Sequence, residues 1–167
     1  MTELRWSMGV HYRAFVAPSI PRLDVLASVD RKEGDRLFQI GALRPATFVN
    51  LRPEGQVVAI EHLFGDRRDL IQLRQLHQDV KREDITVTVL SVDRCRLVFD
   101  DQHALLEFDF VDGPGTHNHV VRLSNNGVSV CFDGQSRWSG ILFTDVVFDD
   151  TLTAIEAWSR EHHVSEE

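Results

Sequence analysis

Lysine is almost missing from this 167-residue chain: only Lys32 and Lys81 occur, and every other basic side chain is arginine. With a formal net charge of −8 and no basic run, the chain lacks the concentrated positive surface that a phosphate backbone demands. Nucleic-acid binding is therefore not expected. The acidic balance favours solubility and, where a partner exists, a basic one.

Cysteine is equally sparse. Cys95 and Cys131 stand alone, with no second thiol at C-x-x-C spacing, which leaves no disulfide framework and no cysteine-rich zinc site. Free buried thiols in the cytoplasm are the expectation. No run approaches the ~18 apolar residues of a membrane span, and the opening "MTELRWSMGVHYRAF" has no apolar leader core. Nucleophile elbows, phosphate loops and dinucleotide glycine fingerprints are also absent. A chain of this length reads as one domain over 1–167, long enough to bury about 70% of its unfolded surface without a metal or disulfide.

What is present is a succession of short apolar–polar alternations broken by turn residues. Between Ile85 and Phe148 the segments "ITVTVLS", "CRLVF", "HALLEFDFV", "HVVRLS", "VSVCF" and "RWSGILFTDVVF" are separated by such signals, at the ~8–12-residue spacing of an antiparallel meander. In the first half, "YRAFVA", "LDVLASV", "RLFQIGA", "ATFVNLR" and "QVVAIEHLF" read as strands, with Gly55 in "RPEGQ" taking a left-handed turn position. Two stripes at helical spacing complete the pattern. Leu70, Leu73, Leu76 and Val80 predict a helix over about 66–82; Leu152, Ile155 and Trp158 predict one over about 150–163, capped by Asp149 or Asp150. The expected fold is thus mostly β, a β-rich α+β meander forming a barrel or a sandwich with two helices. The two stripes superpose at a displacement of 82, which raises a pseudo-repeat of halves 1–82 and 83–167, although the strand segments do not align at that displacement.

Asn126-Gly127 suits a two-residue hairpin turn, which sets Leu123 opposite Val130 and Val121 opposite Phe132. Pairing the preceding strand by its apolar face then puts Phe108 beside Val121, Phe110 beside His119 and Asp112 across from His117. On that arrangement Asp112, His117 and His119 form a two-histidine, one-carboxylate face of the kind that holds a divalent transition metal. The H-x-H pair after a glycine resembles the start of a cupin motif, but the glutamate and second histidine motif of cupins are missing. Ser124 and Gly127 resemble part of the cyclic-di-GMP signature of PilZ domains; Arg122 stands where that signature has Asp or Asn, and no Arg-x-x-x-Arg exists. Neither resemblance supplies a complete site.

Acidic residues recur at strand ends, among them Asp100, Asp101, Asp149 and Asp150, which would form a negative rim if the strands run antiparallel. Three functions follow. The first is a non-catalytic protein-binding module of inhibitor or immunity type, meeting a basic partner through those carboxylates and needing no cofactor. The second is a metal-dependent enzyme or metal binder at the H-x-H site. The third is a β-barrel holding a small ligand among Trp138, Phe108, Phe110 and Phe132, residues that would otherwise fill a core.

Overall fold

Why these residues form strands is visible in the segment Arg22–Ala27, where Leu23, Val25 and Ala27 are buried and Arg22, Asp24 and Leu26 stay partly in water. Successive strand side chains leave opposite faces, so alternation buries one face only. The computed structural model describes residues 2–30, 32–89, 91–123, 127–151 and 153–162. Within them the first half holds β1 (Glu3–Trp6), β2 (Tyr12–Ala17), β3 (Arg22–Ala27), β4 (Arg36–Ile40), β5 (Thr47–Leu51), β6 (Val57–Leu63) and β7 (Gly65–Arg67). Then come α1 (Ile71–Arg74), β8 (His77–Lys81), β9 (Ile85–Thr88), β10 (Val92–Phe99) and β11 (Ala104–Phe110). The chain finishes with β12 (Gly113–Pro114), β13 (His119–Leu123), β14 (Val128–Phe132), β15 (Trp138–Phe143), β16 (Val146–Phe148) and α2 (Thr153–His162).

The fold is mostly β, as expected. One sheet runs β16-β2-β3-β6-β5-β4; the other runs β7-β10-β11-β15-β14-β13-β8, with β12 folded back on β11; β1 and β9 form a separate pair. Val25 and Ile60 from the first sheet join Leu106, Val130 and Ile141 from the second in one buried cluster. The open edges β4, β16, β7 and β8 show two layers packed as a sandwich; no closed barrel forms. Trp138, Phe108 and Phe110 therefore line no barrel cavity. Phe108 and Trp138 meet edge to face at 4.7 Å within the core, and Phe132 packs at its border.

The larger sheet is buried on both faces, and every residue of β15 is buried. Its outer face carries a second cluster in which Leu70 and Leu73 cover Val98, Leu105, Val120, Cys131 and Leu142. Those two leucines belong to the stripe that predicts a helix over 66–82, but the helix is only Ile71–Arg74. The flanking residues form β7 and β8, which pair in parallel with β10 and β13. Free sheet edges offered these residues ladder partners, and Val80, assigned to the stripe, is 50% exposed. The second helix falls where expected. Asp149 accepts N–H donors from Thr151 and Ala154 at its start, and Trp158 packs on Phe15. Leu152 lies outside the described residues. No helix among the described residues is long and apolar enough to cross a membrane.

Two pairings differ from the sequence reading. In the β13–β14 hairpin Val121 faces Val130 and His119 faces Phe132, so the link spans four residues, 124–127, instead of two. A shift of two positions leaves each residue on its expected face, which is why the apolar pattern is equally content with both registers. Residues 124–126 of that link lie outside the described residues. The larger change is that β11 does not neighbour β13. It pairs with β10 and β15, and the chain after β12 crosses to the far side of β14. Alternation determines the face of a strand and says nothing about its neighbour.

Candidate functional site

The crossing segment between β12 and β13 lies over the outer face of the larger sheet and, with the α1 segment, walls a cleft of about 540 Å³. Its apolar side is Leu70, Leu73 and Leu105; its polar side is Arg68, Arg96, Glu107 and His117. Antiparallel register sets Arg96 opposite Glu107 across β10 and β11, and β15 places Gly140 on the other flank of Glu107. A Cβ at position 140 would stand 3.1 Å from the His117 ring and 2.8 Å from the Leu106 carbonyl oxygen. Glycine there is what admits the imidazole.

Glu107 is the centre of the polar side. It is 3% exposed, and its Oε1 lies 3.0 Å from Arg68 Nη2 and 3.3 Å from Arg96 Nη2. Its Oε2 lies 3.1 Å from His117 Nε2, and His117 Nδ1 lies 2.8 Å from Ser139 Oγ. Arg96 Nη2 also reaches Asp109 at 2.9 Å. Burial alone would raise the Glu107 pKa, but the His117 hydrogen bond and the two guanidinium charges outweigh it and hold the carboxyl below its usual range. Both ring nitrogens of His117 are thus engaged, Nε2 with the Glu107 carboxylate and Nδ1 with the Ser139 hydroxyl.

Serine, imidazole and carboxylate in one line is the composition of a nucleophilic triad. Here the serine is 0% exposed, enclosed in β15, and the cleft ends at the imidazole. No substrate carbonyl can reach that hydroxyl. The line instead braces the crossing segment against the sheet. Ser139→Ala is expected to leave His117 Nδ1 without its hydrogen-bond partner and to cost about 1–2 kcal/mol in urea unfolding.

Of the three residues predicted for a metal, only His117 enters this cleft, and its carboxylate partner is Glu107. Asp112 is held by Arg137, whose Nη1 is 3.2 Å from both carboxylate oxygens; Arg137 also binds Asp133 at 2.8 Å and lies over the Phe110 ring. His119 stacks on Phe132 at 5.2 Å. Asp112 was placed across from His117 by the β11–β13 pairing that the fold does not make. Among the described residues no group of three or more His, Cys, Asp or Glu is arranged to hold a metal ion.

Three of the four strand-end aspartates accept backbone N–H groups, and the fourth pairs with an arginine. Asp100 accepts from the N–H groups of Leu70, Gln102 and His103, Asp149 caps α2, Asp150 accepts from Ser19 N–H, and Asp101 pairs with Arg67. The Phe99 and Phe148 rings, each one residue before an acidic pair, lie 6.3 Å apart in the core and bring the ends of β10 and β16, strands of different sheets, to the same end of it.

The sequence reading missed Arg68, Arg96, Glu107 and Ser139. A signal existed for two of them: a hairpin centred between Asp101 and Gln102 sets Arg96 against Glu107 and Arg94 against Asp109, opposite charges facing across both rungs. Arg68 and Ser139 arrive from distant strands and left no local trace. Compared with known protein families and with curated proteins, the chain matches none.

Proposed function

We propose that the chain is a protein-binding module without catalysis of its own, which meets a basic partner through the acidic rim at the ends of β10 and β16. The observation that carries this reading is the Phe99–Phe148 contact, which brings the ends of β10 and β16, and with them the Asp100-Asp101 and Asp149-Asp150 pairs, to the same end of the core. Three of these carboxyls are held below their usual range. Burial opposes the shift at Asp100 but three backbone N–H groups outweigh it; at Asp149 and Asp150 the N–H groups of Thr151 and Ser19 dominate. Backbone donors also fix these side chains in place, so a partner loses little rotamer freedom in meeting them. Arg67 pairs with Asp101, and His103 Nδ1 lies 3.6 Å from Asp100 Oδ1. The sealed Ser139 supports the absence of hydrolysis. The free, buried Cys95 and Cys131 thiols, both pushed up to about 12 by burial, support a reducing cytoplasmic setting.

Affinity capture at low and high ionic strength tests the reading. A basic protein is expected to be retained at low salt and released at high salt, because attraction between exposed charges is screened beyond about 10 Å at 0.1 M. Asp101→Asn with Asp150→Asn is expected to slow association about tenfold at low salt, the scale of electrostatic steering. Retention indifferent to salt and to both substitutions overturns it.

A further inference from the structure

An open sheet edge exposes backbone N–H and C=O groups that template pairing with another chain, and proteins blunt such edges with short strands, charges, proline or bulges. Three of the four edges of the two large sheets carry such devices. β7 is three residues long with Asp66 and Arg67; β16 is three residues long between Asp145 and Asp149; β8 reads "HQDVK", with charge at its centre and its end. β4 is the least protected of the four: it has no proline, its ladder with β5 has no bulge, and it carries a single charge. It is five residues, "RLFQI", its one charge stands at the first position, and Leu37 is 64% exposed.

We propose that β4 is a self-pairing edge, which joins a second copy of this chain antiparallel about Phe38 and continues the two six-stranded sheets into one. The choice of a second copy rests on charge and register. At one end of β4 stands Arg36; beyond the other end, the backbone of Asp93 lies against Gly41 and accepts the Leu43 N–H at 2.7 Å. Neither Arg36 nor Asp93 makes an ion pair among the described residues. A two-fold axis through Phe38 sets Arg36 opposite Ile40 of the second copy, next to that copy's Asp93, and repeats the match at the other end. Arg36 on β4 and Asp93 on β10, of opposite sign and near opposite ends of β4, come together across the edge when β4 meets itself.

The faces agree as well. Phe38 meets its own counterpart on the inner side, where it already packs against the core. On the outer side Leu37 falls opposite Gln39 of the second copy and diagonal to that copy's Leu37, close enough for side-chain contact. The link is isologous and uses each edge once, so it closes at a dimer.

Sedimentation velocity of the full chain over a range of protein concentrations tests the proposal. The expected result is a concentration-dependent shift from monomer to dimer. Leu37→Lys, on an exposed side chain whose loss leaves the protomer intact, is expected to weaken dimerisation at least tenfold. Arg36→Asp and Asp93→Arg are each expected to weaken it comparably, and the two combined in one chain to restore it. A monomer at every concentration overturns the proposal, as does assembly beyond the dimer. So does a dimer indifferent to Leu37→Lys, or a charge exchange that fails to rescue. Capture of β4 by a different protein, with the purified chain monomeric, overturns it too. None of these outcomes touches the acidic rim, whose test is read from salt-dependent capture.

Discussion

Glu107→Ala is expected to lower the free energy of unfolding by about 3 kcal/mol. Removing one partner of a buried ion pair strands the others and typically costs about 3–5 kcal/mol. The lower end applies because the side chains of Arg68 and Arg96 are 52% and 40% exposed, so water takes over part of the carboxylate's work. Arg68→Ala, at the wet end of the same network, is expected to cost less than about 1 kcal/mol. The contrast separates the carboxylate, on which three cationic or donor groups converge, from any single group that converges on it. Urea unfolding reads both, and a Glu107→Ala protein within about 0.5 kcal/mol of wild type would remove the network from the cleft's architecture. The pH dependence has a definite sign. The Glu107 pKa is depressed in the fold, so its stabilisation is complete above the ordinary carboxyl range and is lost as pH falls through the depressed value.

The second large effect comes from His62 and appears at higher pH. This residue of β6 is 1% exposed, with Nδ1 2.9 Å from Thr47 Oγ1. Burial pushes its pKa from 6.5 down to about 4, against the opposing pull of the Phe64 and Ala46 backbone. Between those values the unfolded chain takes up a proton that the folded chain refuses. Stability is therefore full above about pH 6.5 and falls as pH drops, with the loss complete below about pH 4. At roughly 1.4 kcal/mol per pH unit the loss amounts to about 3 kcal/mol. Carboxylates change little between pH 5 and 6.5, and comparison with a His62 variant separates this imidazole from the chain's seven other histidines. His62→Gln is expected to flatten the slope there while leaving the steeper loss below pH 4.5. An unchanged slope in the variant would show that His62 protonates freely in the fold.

What the sequence disclosed and what it withheld divide along one physical line. Period-2 alternation located β2, β3, β4, β5 and β6, and Gly55 takes the left-handed position expected of it, with a φ of +96°. Alternation also assigned inward faces correctly to Leu106, Phe108, Leu123 and Val130, all in the core. These are properties of a strand and its solvent. Neighbour choice is a property of the whole chain, and there the reading failed: β15 occupies the side of β11 that had been given to β13. Asp112 was set across from His117 by that pairing, which the fold does not make. The helix over 66–82 failed for a related reason. Leu70 and Leu73 do bury, but one short turn suffices to place them, and the flanking residues gain more by extending a sheet edge. Arg96 facing Glu107 was readable from the hairpin. His117 closing on that pair from a crossing segment was not.

The parallel pairing of β16 with β2 has a further reach. It carries residues near the C-terminus into the sheet built otherwise from the first half, just as β7 and β8 carry first-half residues to both borders of the other sheet. Neither half owns a finished layer. Severed after residue 82, each fragment would bare seams that the other now seals, so the two layers are expected to melt together in one transition.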